Sequence, residues 1–219
     1  MGRFIVIEGL DGSGKTTQSR MLKDYLVSKG AKVKGLSFPN YDKPGCTLVN
    51  MYLGGQLGND PDSTNAYAAS MFYAADRYTS YVTDWRASVN DPECIVLSTR
   101  YTTANAYHQL SKLPADRWDE FLDWLYDFEF CKLGLPKPDD VVLLSMPPEV
   151  SAAQVESRCR DTGEKKDIHE LDRDYLERCA VAAEYAADKG GWSVINCAPE
   201  GSLLPRERIL ELIIEALKL

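Results

Sequence analysis

The stretch Gly9-Leu10-Asp11-Gly12-Ser13-Gly14-Lys15-Thr16-Thr17 constrains this chain more than any other. It follows Phe4-Ile5-Val6-Ile7-Glu8, an apolar, β-branched run that reads as a buried strand. Beyond it Met21, Leu22, Tyr25 and Leu26 recur at helical spacing. A G-x-x-x-x-G-K-[ST] string between a strand and a helix is a phosphate-binding loop with a physical mechanism. Its glycines turn consecutive backbone N–H groups into one concavity that Cβ atoms would otherwise crowd. The helix start adds unsatisfied donors and the positive end of its dipole. In such a loop Lys15 reaches the β- and γ-phosphates of a nucleotide and the Thr16 hydroxyl ligates Mg2+.

Further along, strands and helices alternate. Helical patterns run to about Ser28, over Thr47 to Leu53, Asn65 to Ser88, Tyr101 to Leu110 and Trp118 to Phe130, then over Glu149 to Cys159, Leu171 to Lys189 and Arg206 to Lys218. Strands are expected over Val33 to Phe38, Cys94 to Ser98, Asp140 to Met146 and Trp192 to Asn196. Strands separated by helices, without tight hairpins, imply a parallel sheet covered on both faces, hence a three-layer α/β domain. At 219 residues one domain over 1–219 is expected. Ligands bind at the carboxyl ends of the strands in such sheets. That rim carries the loop, Phe38 to Tyr41, Thr99 to Tyr101, Pro147-Pro148 and Asn196 to Glu200.

The net charge of −8 argues against a general nucleic-acid binder, which would show a basic excess. The chain enters its first strand without a basic-then-apolar leader, and no apolar run is long enough to span a bilayer, which points to the cytoplasm. Six cysteines without a C-x-x-C pair read as reduced core thiols, and two histidines exclude a histidine-rich metal site.

Several rim residues are candidates for chemistry. Arg100, just past a central strand, is placed to hold a second phosphate bidentately, or else to sit in solvent at a helix start. Asn105 and Gln109, one helical turn apart, suit a base edge. Tyr73 and Arg77 share that spacing, as a stacking ring beside a guanidinium or as a core tyrosine beside a solvated arginine. Arg158, Arg160, Lys165 and Lys166 have the composition of a basic lid over about 159–171, balanced by Asp161, Glu164 and Asp167 as an ordinary solvated loop would be.

Taken with Phe38-Pro39, Phe72-Tyr73-Ala74-Ala75-Asp76-Arg77, Arg100-Tyr101 and Gly134-Leu135-Pro136-Lys137-Pro138-Asp139, the loop closely resembles the thymidylate kinase family over essentially the whole chain. The resemblance implies a P-loop kinase fold with strand order 2-3-1-4-5, a homodimer formed through helices, and phosphoryl transfer from Mg-ATP to dTMP. It assigns the ATP phosphates to Asp11, Gly12, Ser13, Gly14, Lys15, Thr16 and Thr17, with Thr16 also on the metal. The nucleotide 3′-hydroxyl falls to Asp11, the base to Tyr73 (or Phe72), Arg77, Asn105 and Gln109, and the monophosphate to Arg100, with Phe38 and Pro39 beside it. Gly12 leaves the loop without an arginine, which implies a lid arginine, Arg158 or Arg160, or Lys165; Arg158 has adenine stacking as its alternative. Two departures stand out. Thr99 replaces the family aspartate before Arg100, and Asn40-Tyr41 replace an arginine after Phe-Pro. Glu8 or a lid carboxylate could stand in for the aspartate. The alternatives are a kinase for another deoxynucleoside monophosphate such as dUMP, or a catalytically weak nucleotide-binding paralogue, which Thr99 in place of the family aspartate raises.

Overall fold

A computed structural model describes residues 2–162 and 172–219. The first strand, β1 (Phe4–Gly9), is buried along its whole length at the centre of the sheet. Its alternation splits the core. Phe4 and Val6 pack with Val96, Trp85 and Tyr101 on one side, while Ile5 and Ile7 meet Leu22, Leu26, Ile209 and Ile213 on the other. Around it lie β2 (Lys32–Ser37), β3 (Cys94–Thr99), β4 (Asp140–Ser145) and β5 (Ser193–Asn196). All pairings are parallel, in the order β2-β3-β1-β4-β5.

The helices are α1 (Lys15–Ser28), α2 (Thr47–Leu53), α3 (Ala66–Ser80), α4 (Arg86–Asn90), α5 (Thr102–His108), α6 (Trp118–Tyr126), α7 (Pro148–Thr162), α8 (Arg173–Gly190) and α9 (Arg206–Leu217). α3 and α8 are capped by Asn65 and Asp172, which accept from Ala68 N and Tyr175 N. α1 instead starts from Gly14 in the left-handed region, and no side chain caps it, so its first amides stay available to a ligand.

Three boundaries differ from the sequence reading. The helical pattern from 65 to 88 breaks into α3, a π-helical turn (Tyr81–Trp85) and α4, and that from 118 to 130 into α6 and a π-helical turn (Asp127–Lys132). Each π turn inserts residues that a 3.6-residue period does not anticipate, and it aims one side chain inward: fully buried Trp85 and Glu129. α7 continues through Arg160 and Asp161, since no breaker precedes Gly163. The basic stretch therefore begins as helix, and Lys165 and Lys166 lie outside the described residues.

α7 also explains Gly12. A Cβ there would lie 2.4 Å from the Ser151 carbonyl oxygen, and the backbone sits at φ +84. Ser151 donates its hydroxyl hydrogen bond to the Asp11 carbonyl. With the first turn of α7 seated on the loop, no side chain, arginine included, fits at position 12.

Candidate active site

The loop opens into a cleft of about 1020 Å3 at the carboxyl edge of the sheet. Asp11, Gly12, Gly14, Lys15, Thr16 and Thr17 form its floor. Phe38, Pro39 and Tyr41 follow β2, Tyr73 and Arg77 come from α3, and Thr99, Arg100, Tyr101, Ala104, Asn105 and His108 follow β3. Gln154, Ser157, Arg158 and Asp161 of α7, and Arg206 of α9, close the far side.

Arg100 is set by its backbone. Its N–H donates to Ile7 O at 3.1 Å, the Ser98 hydroxyl donates to its carbonyl at 2.7 Å, and its φ is 63. A non-glycine residue in the left-handed region stores of order 1–3 kcal/mol and persists only where its surroundings enforce it. This turn carries the side chain over the phosphate loop. There Nη2 forms an ion pair with Asp11, and Nη1 lies 2.9 Å from His108 Nε2. The alternative of an arginine in solvent is thereby excluded.

Asp11 stands between two cations, with Lys15 Nζ 3.7 Å from the carboxylate oxygen that meets Arg100. Burial alone would raise this carboxyl; the charges of Arg100 and Lys15 outweigh it and hold it well below the usual carboxylate range. Lys15 donates to Leu10 O at 2.7 Å. Burial and the charge of Arg100 push its ammonium down to about 8, against the pull of Asp11 and Glu8.

Tyr73, not Phe72, lines the cleft; Phe72 packs with Tyr52 and Ala69. Arg77 is no solvated arginine. It is 2% exposed, with Nε donating to Glu129 Oε2 at 2.7 Å, Nη2 paired to Oε1, and Nη1 reaching Tyr101 O at 3.4 Å. Thr102 donates to the same carboxylate at 2.7 Å, and Asn105 Nδ2 lies 3.4 Å from it. Glu129 thus locks the two base-reading candidates, Arg77 and Asn105, into one network. Sequence reasoning missed it because it sits on a π turn, where helical periodicity gives no facing.

Not every expected residue reaches the cleft. Gln109 is fully buried, outside the cleft lining, and its amide atoms have no hydrogen-bond partner among the described residues. The lining stripe of α5 runs through Ala104, Asn105 and His108; Gln109 lies about 40° beyond Asn105 and just past the end of the helix. The Ser13 side chain is buried beneath the loop, and Arg160 is exposed outside the lining, one residue before cleft-facing Asp161. Glu8 does not replace the missing aspartate. Its carboxylate faces the core, accepting from Tyr101 N at 2.9 Å, Thr103 Oγ1 at 2.6 Å and Tyr107 OH at 2.9 Å. Asn40 also lies outside the lining and ties its loop to α3 by donating its N–H to Asp76 Oδ2 at 2.9 Å. His108, Asp161 and Arg206 were missed as lining residues. The first was visible only as part of the rim segment Ser98 to Gln109.

All six cysteines are free thiols, and Cys46, Cys94, Cys179 and Cys197 are buried. Among the described residues no helix is long and apolar enough to cross a membrane.

An uncapped helix behind a glycine-rich loop, on the central strand of a 2-3-1-4-5 parallel sheet, with Lys15 and Arg100 facing the loop, defines a P-loop kinase. The family model for thymidylate kinase matches residues 7–204. The chain is 32% identical to thymidylate kinase of Mycobacterium tuberculosis over 198 residues, which is 88% of this chain and 91% of that protein. It is 28% identical to a probable thymidylate kinase of Saccharolobus solfataricus over 187 residues, 84% of this chain and 86% of the relative. The chain belongs to the thymidylate kinase family. The solved thymidylate kinase of Candida albicans shares the fold, with a TM-score of 0.68 over 99% of this chain and 92% of that one, at 20% identity.

The Arg77–Glu129 pair makes a direct prediction. Glu129→Ala leaves a buried guanidinium unpaired and should lower unfolding stability by roughly 3–5 kcal/mol in urea titrations. The double change Arg77→Met, Glu129→Leu should cost much less.

Proposed function

We propose that this chain transfers the γ-phosphoryl group of ATP to dTMP, giving dTDP and ADP. An oxygen of the dTMP phosphate forms the new bond to the γ-phosphorus as the bond to the ADP oxygen breaks. The acceptor is already ionised, so no protein nucleophile or general base is required. The observation that carries the reading is Arg100, anchored by Asp11 and His108 above the phosphate loop. Of the five N–H donors of a guanidinium, these contacts leave three for a second phosphate. Catalysis is then positioning and charge neutralisation.

In this reading Lys15 and the open amides of α1 bind the ATP phosphates, while Arg158 approaches them from α7. Tyr73 stacks on thymine, Arg77 and Asn105 read its edge, and Phe38 with Pro39 line the acceptor side. Asp11 accepts from the nucleotide 3′-hydroxyl. The cleft offers hard oxygen donors suited to Mg2+: the Thr16 hydroxyl as the proposed ligand, with the Asp11 and Asp161 carboxylates lining the same space. Bound there with ATP, Mg2+ would neutralise phosphate charge. We read position 99 as tolerating threonine because these carboxylates already supply negative charge to the cleft. The lid role of 159–171 belongs to the same proposal, as does a cytoplasmic location, in keeping with six free thiols. We also propose a homodimer through α3, whose exposed Met71 and Tyr78, with Val82 beyond its end, fall on one face.

Four experiments test this. ADP production from Mg-ATP, with dTMP, dUMP, dCMP, dGMP and dAMP offered separately, should be led by dTMP. Arg100→Ala should lower dTMP turnover by about 10²–10³-fold and leave ATP affinity nearly unchanged; near-normal turnover would overturn its assignment. Lys15 makes a pH prediction. Phosphates favour its charged form, which the free protein loses near about 8. ATP affinity measured by calorimetry should therefore be flat below pH 8 and weaken above it, by up to about tenfold per pH unit. For the dimer, sedimentation velocity should show two copies, and Met71→Glu with Val82→Glu should return a monomer.

A further inference from the structure

His108 has a role that the phosphate loop and the base pocket do not account for. An arginine side chain only donates, so the 2.9 Å contact with Arg100 Nη1 makes His108 Nε2 the acceptor and puts the ring proton on Nδ1. The opposite side of the ring is built to match. The Tyr175 hydroxyl donates to the His108 carbonyl at 2.9 Å, leaving its oxygen to receive Nδ1–H at 3.3 Å. Cys179 Sγ lies 3.5 Å from Nδ1. The ring is 4% exposed and packs on Tyr107, with ring centroids 4.6 Å apart.

Among the described residues the ring is faced by Arg100 and Asp11 from the cleft, Tyr107 of its own helix, and Tyr175 and Cys179 of α8. Burial pushes both tyrosines up and the Cys179 thiol up to about 12, so these stay neutral near neutrality. Arg100 and Asp11 stay charged there.

We propose that neutral His108 is a positioning residue for Arg100: its Nε2 lone pair holds the guanidinium where it meets the acceptor monophosphate. α8 thereby acts on the acceptor site through Tyr175, His108 and Arg100. The inference rests on the reading of Arg100 as the arm that holds the acceptor phosphate.

The test is KM for dTMP at saturating ATP near pH 8, for the wild type, His108→Gln, His108→Ala and Arg100→Ala. Glutamine keeps an acceptor oxygen in place of Nε2, and alanine does not. His108→Ala should raise KM by about tenfold, the worth of one hydrogen bond to a charged group, while kcat changes far less. His108→Gln should return KM to the wild-type value. On the wild type alone, NMR of the His108 ring nitrogens should show the proton on Nδ1 and an accepting Nε2. Wild-type KM in His108→Ala, or a ring with its proton on Nε2, would overturn the proposal. Unchanged acceptor KM in Arg100→Ala would instead remove the reading of Arg100 beneath it.

Discussion

The site depends on one carboxylate held between two cations. Asp11 sits on the phosphate loop, Lys15 begins the helix behind that loop, and Arg100 leaves the end of the neighbouring strand. Bringing two cations to one small, largely enclosed space is unfavourable unless an anion offsets them. Asp11 does so, and its burial makes each of the three charges dependent on the others. The parallel register of β1 with β3 is what makes the meeting possible, since Ile7 lies opposite Thr99 and accepts the Arg100 N–H. The sheet thus sets the spacing between the phosphate loop and a second phosphate-binding group.

Around that centre the same economy recurs: Arg77 and Arg100 are each fixed by a partner from another element. Glu129 holds Arg77 from a π turn, and His108 meets Arg100 from α5. Left-handed backbone at Arg100 stores strain that the hydrogen bonds of its turn maintain. A guanidinium held in advance loses less entropy when a phosphate or base arrives, and this preorganisation is what a reaction run by charge and position requires.

Much of this was legible in the chain. The loop string between an apolar strand and a helix located the floor of the site, and strands alternating with helices specified a parallel sheet. Its order came from the resemblance to the family. Arg100, Tyr73, Arg77 and Asn105 were reachable because they follow strands or share helix faces. What escaped depends on long-range contacts. Glu129 lies 52 residues from Arg77 and faces it only because a π turn shifts its phase. Gln109 looked equivalent to Asn105 by spacing, yet the end of α5 at His108 takes it out of the cleft. Glu8 looked available to the metal, but three donors turn it into the core. The close approach of Ser151 that makes Gly12 obligatory joins two distant parts of the sequence, as does the hydrogen bond from Ser151 to Asp11, 140 residues away.

The central claim is that Arg100, while anchored on Asp11, holds the acceptor phosphate above the loop. The most direct measurement is a crystal structure with dTMP and a non-hydrolysable ATP analogue. The account predicts Arg100 nitrogens within hydrogen-bond distance of both the dTMP phosphate and the Asp11 carboxylate, with the thymine ring over Tyr73. A monophosphate gripped by other side chains, with Arg100 touching only Asp11 and His108, would contradict it.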